Sequence, residues 1–361
     1  MTSSFHIALL PGDGIGPDVT AEAVRVLAAV QKAVPELRLE YEEFSIGAGE
    51  YLRSGDPLPE AVFQRLPEFD AILLGAMGLP GVRWPDGVEM TPQIDLRERL
   101  DLYQGLRPIY LFHADDSPLR GRAAGAIDFV IVRESTEGLF SSRKIKRDTA
   151  ADRATDTMLI TRPAAERVIR AAFRLAQVRR GRLALVDKAN VLPSMAFFRQ
   201  VFDEVSAEFP EVATDRVYVD AAALFLVQRP EMFDVIVTEN MFGDILSDLA
   251  AGLAGGMGMA PSADIGDRYA VFQPSHGSAP DIAGQGIANP VATILSAAML
   301  LDWLGSPEAR RGARLIHGAV REVFANRQVR TRDMGGLVST TQMGEAIEAA
   351  VLRLGARETP R

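Results

Sequence analysis

Val235-Ile236-Val237-Thr238-Glu239-Asn240-Met241-Phe242-Gly243-Asp244-Ile245-Leu246-Ser247-Asp248 opens with an apolar β-branched run too short for a helix. Such a run reads as a buried strand, and the residues after it read as a helix. On that helix Asp244 and Asp248 stand four apart and share one face. The same strand-then-helix wording recurs along the chain. Phe5–Leu10, Ala71–Leu74, Phe129–Val132, Leu183–Val186 and Val217–Val219 read as further strands. Pro17–Val34 and Ala164–Arg179 read as helices, the second with Val168, Ala172, Leu175 and Ala176 on one face. This alternation defines an α/β protein with a largely parallel sheet.

The chain has 361 residues, enough for two domains, and no internal repeat or low-complexity tract. Acidic residues outnumber basic ones 48 to 39, a net charge of −9, which excludes a protein that wraps nucleic acid with a basic face. Cysteine is absent, so disulfides, thiolate metal sites and thiol nucleophiles are excluded. The longest apolar run, Val291–Leu301, is cut by Asp302 and is too short to span a bilayer. The first residues show no basic leader, and the expectation is a soluble, cytoplasmic protein without membrane or nucleic-acid partners. Arg143-Lys144-Ile145-Lys146-Arg147 reads as a solvated arm, and Gly252–Gly258 as a hinge or tight packing point. Only Lys32, Lys144, Lys146 and Lys188 are lysines, a bias that codon usage explains. Even so, a site needing a neutral amine must keep lysine, because guanidinium holds its proton.

In open α/β sheets ligands collect beyond the carboxyl ends of strands. The residues there are Arg133-Glu134, Asp187-Lys188-Ala189-Asn190, Asp220, and Glu239-Asn240 followed by Asp244 and Asp248. Asp244 and Asp248 repel one another unless a cation sits between them, which suits a divalent hard cation with oxygen ligands. Asp220 could add a third carboxylate. On spacing alone, Asp244 compensating the helix dipole beside a solvated Asp248 is the other reading. Lys188 near a dication and arginines would have its pKa lowered enough for a general base, whereas a bare strand-end lysine simply reaches water. Arg97, Arg107 and Arg133 offer three forked donors for carboxylates. Ion pairs with neighbouring acids account for Arg97 equally well.

Gly12-Asp13-Gly14-Ile15-Gly16-Pro17 is not the Rossmann fingerprint, because its third glycine would fall at Pro17. Ser275-His276-Gly277-Ser278-Ala279-Pro280-Asp281-Ile282-Ala283-Gly284, with Asn289-Pro290, is the better place for a dinucleotide. Small residues let the backbone approach, and an acid accepts from ribose hydroxyls while repelling a 2′-phosphate.

Taken together these stretches resemble the β-decarboxylating dehydrogenases, the family of isopropylmalate, isocitrate, homoisocitrate and tartrate/D-malate dehydrogenases. The resemblance runs from Leu10-Pro11-Gly12-Asp13-Gly14-Ile15-Gly16-Pro17 to Thr340-Thr341-Gln342-Met343-Gly344 and is closest to the isopropylmalate branch. It implies a two-domain isopropylmalate/isocitrate dehydrogenase-like α/β fold that is not classical Rossmann. A larger cofactor domain of residues 1–105 plus 256–361 would hold both termini. A smaller domain, 106–255, would carry the dimer interface and the metal carboxylates. It further implies a homodimer with shared active sites and NAD-dependent, Mg²⁺- or Mn²⁺-dependent oxidative decarboxylation of a hydroxy diacid. Lys188 and Asp220 would be catalytic, with Lys188 the base from the partner subunit. Asp220, also from the partner, would join Asp244 and Asp248 on the metal. Arg97, Arg107, Arg133 and Asn190 would bind substrate. His276, Gly277, Ser278, Ala279, Pro280, Asp281, Ile282 and Asn289 would bind the cofactor, with Asp281 selecting NAD.

Two departures stand out. Where the family places a tyrosine credited with protonating the enol, this chain has Phe140 in Arg133-Glu134-Ser135-Thr136-Glu137-Gly138-Leu139-Phe140. One turn before Arg97, where isopropylmalate dehydrogenases present leucines, it has Thr91-Pro92-Gln93-Ile94. Thr91 and Gln93 are placed like the polar pair with which isocitrate dehydrogenases hold a distal carboxylate. A polar or small C3 substituent therefore fits better than isopropyl, with isocitrate/homoisocitrate and tartrate/D-malate as alternatives. A catalytically silent ligand-binding subunit is the competing reading, with Phe140 in its favour. Lys188, Asp220, Asp244, Asp248 and the three arginines stand against it.

Overall fold

A computed structural model describes residues 2–145 and 152–358, so Lys146 and Arg147 of the basic run lie outside the described residues. Ten strands pair into one sheet: β1 (Ser3–Gly12), β2 (Leu37–Glu43), β3 (Ala71–Ala76), β4 (Gln104–Tyr110), β5 (Asp128–Glu134), β6 (Arg182–Asp187), β7 (Ala213–Tyr218), β8 (Val235–Thr238), β9 (Pro261–Ile265) and β10 (Ala270–Pro274). Their order is β2-β1-β3-β10-β9-β4-β5-β8-β6-β7. Two parallel wings, β2-β1-β3-β10 and β5-β8-β6-β7, are joined by antiparallel β9 and β4. This is an α/β fold without the classical Rossmann order.

Six of the eight wing strands, β1, β3, β5, β6, β7 and β8, hold the apolar runs, while β2 and β10 are not among the strands read from the sequence. An inner parallel strand is covered on both faces and must be apolar along its length, whereas β2 and β7 lie at the sheet edges and carry exposed residues. β3 is buried throughout, as are all four residues of β8. The centre is different. β4 (Gln-Gly-Leu-Arg-Pro-Ile-Tyr) buries alternate residues, and its arginine and proline hide it from a search for apolar runs. One boundary also moves: Val217–Val219 reads as strand, but β7 ends at Tyr218 and Val219 opens a helix, Val219–Gln228.

The apolar run at Val291–Leu301 lies in the helix Val291–Leu304. That helix packs against the helices Gly16–Ala33 and Pro307–Phe324 and against β9 and β10, and is buried almost all round. Among the described residues no helix is long and apolar enough to cross a membrane. The basic run is not a free arm where it is described. Arg143 donates to Asp95 at 2.6 Å and to Glu98 at 2.8 Å, and Lys144 also pairs with Glu98. It thereby ties the segment Leu139–Lys144 to the helix Pro92–Arg99. In the glycine-rich stretch Gly258 is the tight point, since a Cβ there would lie 2.6 Å from the Asp333 carboxylate.

Candidate active site

The carboxyl ends of β3, β10, β5 and β8 open around a cavity of about 250 Å³. Gln93, Arg97, Arg107, Arg133, Phe140, Asp244, Asp248 and His276 line it. Each side chain arrives there for a local reason. Glu239 caps the helix Asn240–Leu253, its carboxylate accepting from the backbone N–H of Met241 at 3.0 Å and of Phe242 at 2.6 Å. That cap sets the helix start and so aims Asp244 and Asp248 along one face into the cavity. Gly243 lets the helix lie against β5, since a Cβ there would stand 2.7 Å from Arg133 Cγ.

Arg133 is the last residue but one of β5 and is only 2% exposed. Its Nε and Nη2 donate to Asn240 Oδ1 at 2.9 and 2.6 Å, and its Nη1 pairs with Asp244. Burial pushes the guanidinium down to about 10, which leaves it charged at neutral pH. Arg107, on β4, is also lowered by burial. Phe140 stacks over Arg133, with 5.1 Å between guanidinium carbon and ring centre, so the ring occupies the wall without supplying a transferable proton.

The residue that organises the arginines is missed by sequence reasoning. Asp264 sits in the centre of the sheet with no exposed surface. Arg97 Nε donates to its Oδ2 at 2.9 Å, and Arg107 Nη2 lies 3.6 Å from its Oδ1. Gln273 Nε2 completes the set at 2.5 Å from Oδ2. Burial raises this carboxyl, but Arg97, Arg107 and Arg133 together outweigh it and hold it below the usual carboxylate range. Antiparallel pairing places Gly105 of β4 opposite Asp264 of β9, so Arg107, two residues on, falls on the same face. The only signal in the sequence is a lone acid inside a strand, Pro261-Ser262-Ala263-Asp264-Ile265. The partner of Arg97 is therefore this distant carboxylate, not a neighbouring acid.

Gln93 lies on the helix Pro92–Arg99 and faces the cavity, with its carbonyl oxygen buried and without a hydrogen-bond partner. Thr91 immediately precedes that helix and does not line the cavity. Asp248 is raised, first by burial and then by Asp244 beside it. Two converging carboxylates with oxygen donors only are the donor set a hard dication takes.

His276 lines this cavity and also a second one of about 330 Å³, together with Ile15, Ile282, Ile287, Asn289 and Asp333. Its Nε2 is buried and unpartnered, its Nδ1 lies 2.9 Å from the Gly277 carbonyl, and burial lowers its pKa. A Cβ on Gly277 would meet open space, so the Ser275–Asp281 loop borders a cradle with apolar walls and an orphan ring nitrogen. That suits a ligand carrying a flat ring and hydroxyls. Asp281 is exposed at its edge. Ser278 fixes the loop, its carbonyl accepting from Ile15 N–H at 2.8 Å and its hydroxyl bonding the Gly78 carbonyl. The Gly12–Gly16 motif thus supports the loop. Asn289 donates to Asp333 at 3.0 Å.

Of the predicted residues, Thr91, Ser278, Ala279, Pro280 and Asp281 border the site without lining either cavity, and three more lie further off, past the ends of β6 and β7. Lys188, Asn190 and Asp220 line neither cavity. Lys188 Nζ instead donates to Asp220 at 2.7 Å, and that contact holds the Asp220 carboxyl below its usual range, although its side chain is 68% exposed. Among the described residues no group of three metal-ligating side chains forms within one chain.

Similarity to known proteins extends over nearly the whole chain. The family model for isocitrate/isopropylmalate dehydrogenase matches residues 6–347. The chain is 46% identical to 3-isopropylmalate dehydrogenase of Corynebacterium glutamicum (strain R), covering 96% of this chain and 99% of the relative. It is 44% identical to that of Moorella thermoacetica, covering 95% and 98%. Among solved structures, isocitrate dehydrogenase from Methylococcus capsulatus superposes with a TM-score of 0.87 at 38% identity, over 96% of this chain and 99% of that one. The chain belongs to the isocitrate/isopropylmalate dehydrogenase family, the β-decarboxylating dehydrogenases that act on a CH–OH group.

Proposed function

We propose that the protein catalyses NAD-dependent, divalent-metal-dependent oxidative decarboxylation of a 2-hydroxy diacid, like 3-isopropylmalate dehydrogenase but with a polar or small C3 substituent. The observation that carries the substrate reading is the buried, unpartnered Gln93 carbonyl oxygen facing the cavity of the three arginines. An isopropyl group against it would leave that atom unpaired, at a cost of about 1–3 kcal/mol. A hydroxyl would donate to it.

Arg97, Arg107 and Arg133 would clamp the two carboxylates by forked hydrogen bonds and orient the C2–H toward the His276 side. His276 through Ile282, with Asn289, would hold the cofactor, and Asp244 with Asp248 the metal. When bound, NAD would accept the hydride, and Mg²⁺ or Mn²⁺ would acidify the C2 hydroxyl and serve as electron sink for CO₂ loss. Lys188 would take the hydroxyl proton from across a dimer interface, and Asp220 would complete the metal site from the same partner. The shared-site homodimer is supported by the exposure of Asn190 and Asp220, amid the exposed apolar side chains Val191, Leu224 and Ile245. The two-domain division at 1–105 plus 256–361 and 106–255 is part of this reading. It is supported by separate hydrophobic clusters: one joins Ile7–Leu73 residues to Met259–Val351 residues, and others are built from residues between 103 and 254.

The test is NADH formation with Mn²⁺ against isopropylmalate, isocitrate, homoisocitrate, D-malate and tartrate, with CO₂ scored in parallel. Malate or tartrate is expected to exceed isopropylmalate. Gln93→Leu should move the preference toward isopropylmalate by about tenfold or more, the range of a buried polar-to-apolar exchange. Efficient isopropylmalate turnover by the wild type would sink the Gln93 reading. Phe140→Tyr restores a phenolic proton to the cavity wall. It should raise the rate of CO₂-coupled product formation by about tenfold or more, at the low edge of general-acid effects. An unchanged rate would show that solvent supplies that proton.

A further inference from the structure

The charged groups at the cavity form two sets, in contact where Arg133 pairs with Asp244, and their charges can be counted separately. The three guanidinium groups of Arg97, Arg107 and Arg133 carry three positive charges, and the buried Asp264 cancels one of them. Two positive charges remain, matching two carboxylates. Asp244 and Asp248 carry two negative charges, matching one dication. Nothing else lining the cavity among the described residues is cationic. Gln93 is neutral, and burial lowers the pKa of His276, favouring its neutral ring. Lys188 and Asp220 form an ion pair and add no net charge wherever they dock.

We propose that Asp264 sets the charge of the substrate, admitting a dicarboxylate and rejecting a tricarboxylate, by cancelling one arginine from behind the cavity wall. The inference rests on the diacid reading and sharpens it. A third carboxylate beside Gln93 would be desolvated without a cation to receive it. Asp264 touches no substrate, since it is fully buried and does not line the cavity, so it is a positioning and charge-setting residue. Gln273 Nε2 and Ser135 Oγ, at 2.5 and 3.5 Å, can remain as partners to an amide or hydroxyl at the same place.

The experiment measures binding rather than turnover, with Mg²⁺ present. Calorimetry compares succinate and tricarballylate, one a dicarboxylate and the other a tricarboxylate, on the wild type, Asp264→Asn, Asp264→Ser and Asp264→Glu. The wild type should prefer succinate. The two neutral variants should shift the ratio toward tricarballylate by about tenfold or more, the effect of one charge at short range in a buried site. Asp264→Glu should keep the wild-type ratio. Two neutral variants guard against one that fails to fold, which thermal unfolding would reveal. Equal weakening of both ligands, or a wild type that already prefers tricarballylate, would overturn the proposal. A wild type that binds neither anion would overturn the diacid reading first.

Discussion

Asp248→Asn is expected to lower metal-dependent NADH formation by about three orders of magnitude while leaving the fold intact. The carboxylate supplies one of two charges facing the cavity from the helix Asn240–Leu253, and its loss removes half the anionic set for a dication. A metal that acidifies a hydroxyl and drains charge supplies several kcal/mol at the transition state, and about 4 kcal/mol is a thousandfold. Stability should move the other way. Asp248 is raised by burial and by Asp244, so its ionised form is disfavoured in the folded chain. A raised carboxyl contributes stability below its unfolded pKa and loses it as pH rises through the folded value. At neutral pH the amide should therefore melt at or above the wild-type temperature without metal, and Mn²⁺ should no longer raise its melting point. Retained activity, or retained stabilisation by Mn²⁺, would remove Asp248 from the metal site.

Gly14→Ala should have a large effect without changing a charged residue. Gly14 has φ of 59°, and a Cβ there would stand 2.0 Å from the Ser278 carbonyl oxygen. The left-handed backbone costs about 1 kcal/mol and the overlap about 1–3 kcal/mol more, so about 2–4 kcal/mol of stability should be lost. The consequence is functional as well, because Ile15 N–H bonds that same carbonyl at 2.8 Å and holds the Ser275–Asp281 loop. Pushing the loop outward should raise KM for NAD by about tenfold with a smaller change in kcat. Gly121→Ala is the control: its φ of 74° is similar, but a Cβ there meets nothing within 4 Å. It should lose only the backbone part and leave KM unchanged. A Gly14→Ala enzyme with wild-type melting temperature and KM would show that the loop does not depend on this contact.

Six strands of the parallel wings (β2 and β10 excepted), the position of Arg133, Asp244 and Asp248 at strand ends, and the Ser275–Asp281 loop are legible in the chain without its structure. These features are local. A buried parallel strand is apolar along its whole length, and helical spacing places Asp244 and Asp248 on one face wherever the helix goes. Arg107 is legible from its motif and not from its strand, because the wording of β4 carries no apolar run. The Gly12–Gly16 motif is legible as something other than a dinucleotide fingerprint. Its role as a brace for Ser278 is not, because that contact joins Ile15 to a residue far along the chain.

The α/β class, the family, the three arginines and the two cavity carboxylates are written in the order of the amino acids, because each is read from local motifs, a few residues long, wherever along the chain they stand. Folding adds the antiparallel pairing of β9 with β4, which seats Asp264 beneath Arg97 and Arg107. Folding also leaves the Gln93 oxygen unpartnered in the cavity, and keeps Lys188 with Asp220 apart from that cavity within one chain. The physical reason is range. Periodicity and capping act over a turn or two of backbone, whereas the charge of a buried site depends on which distant strands lie side by side.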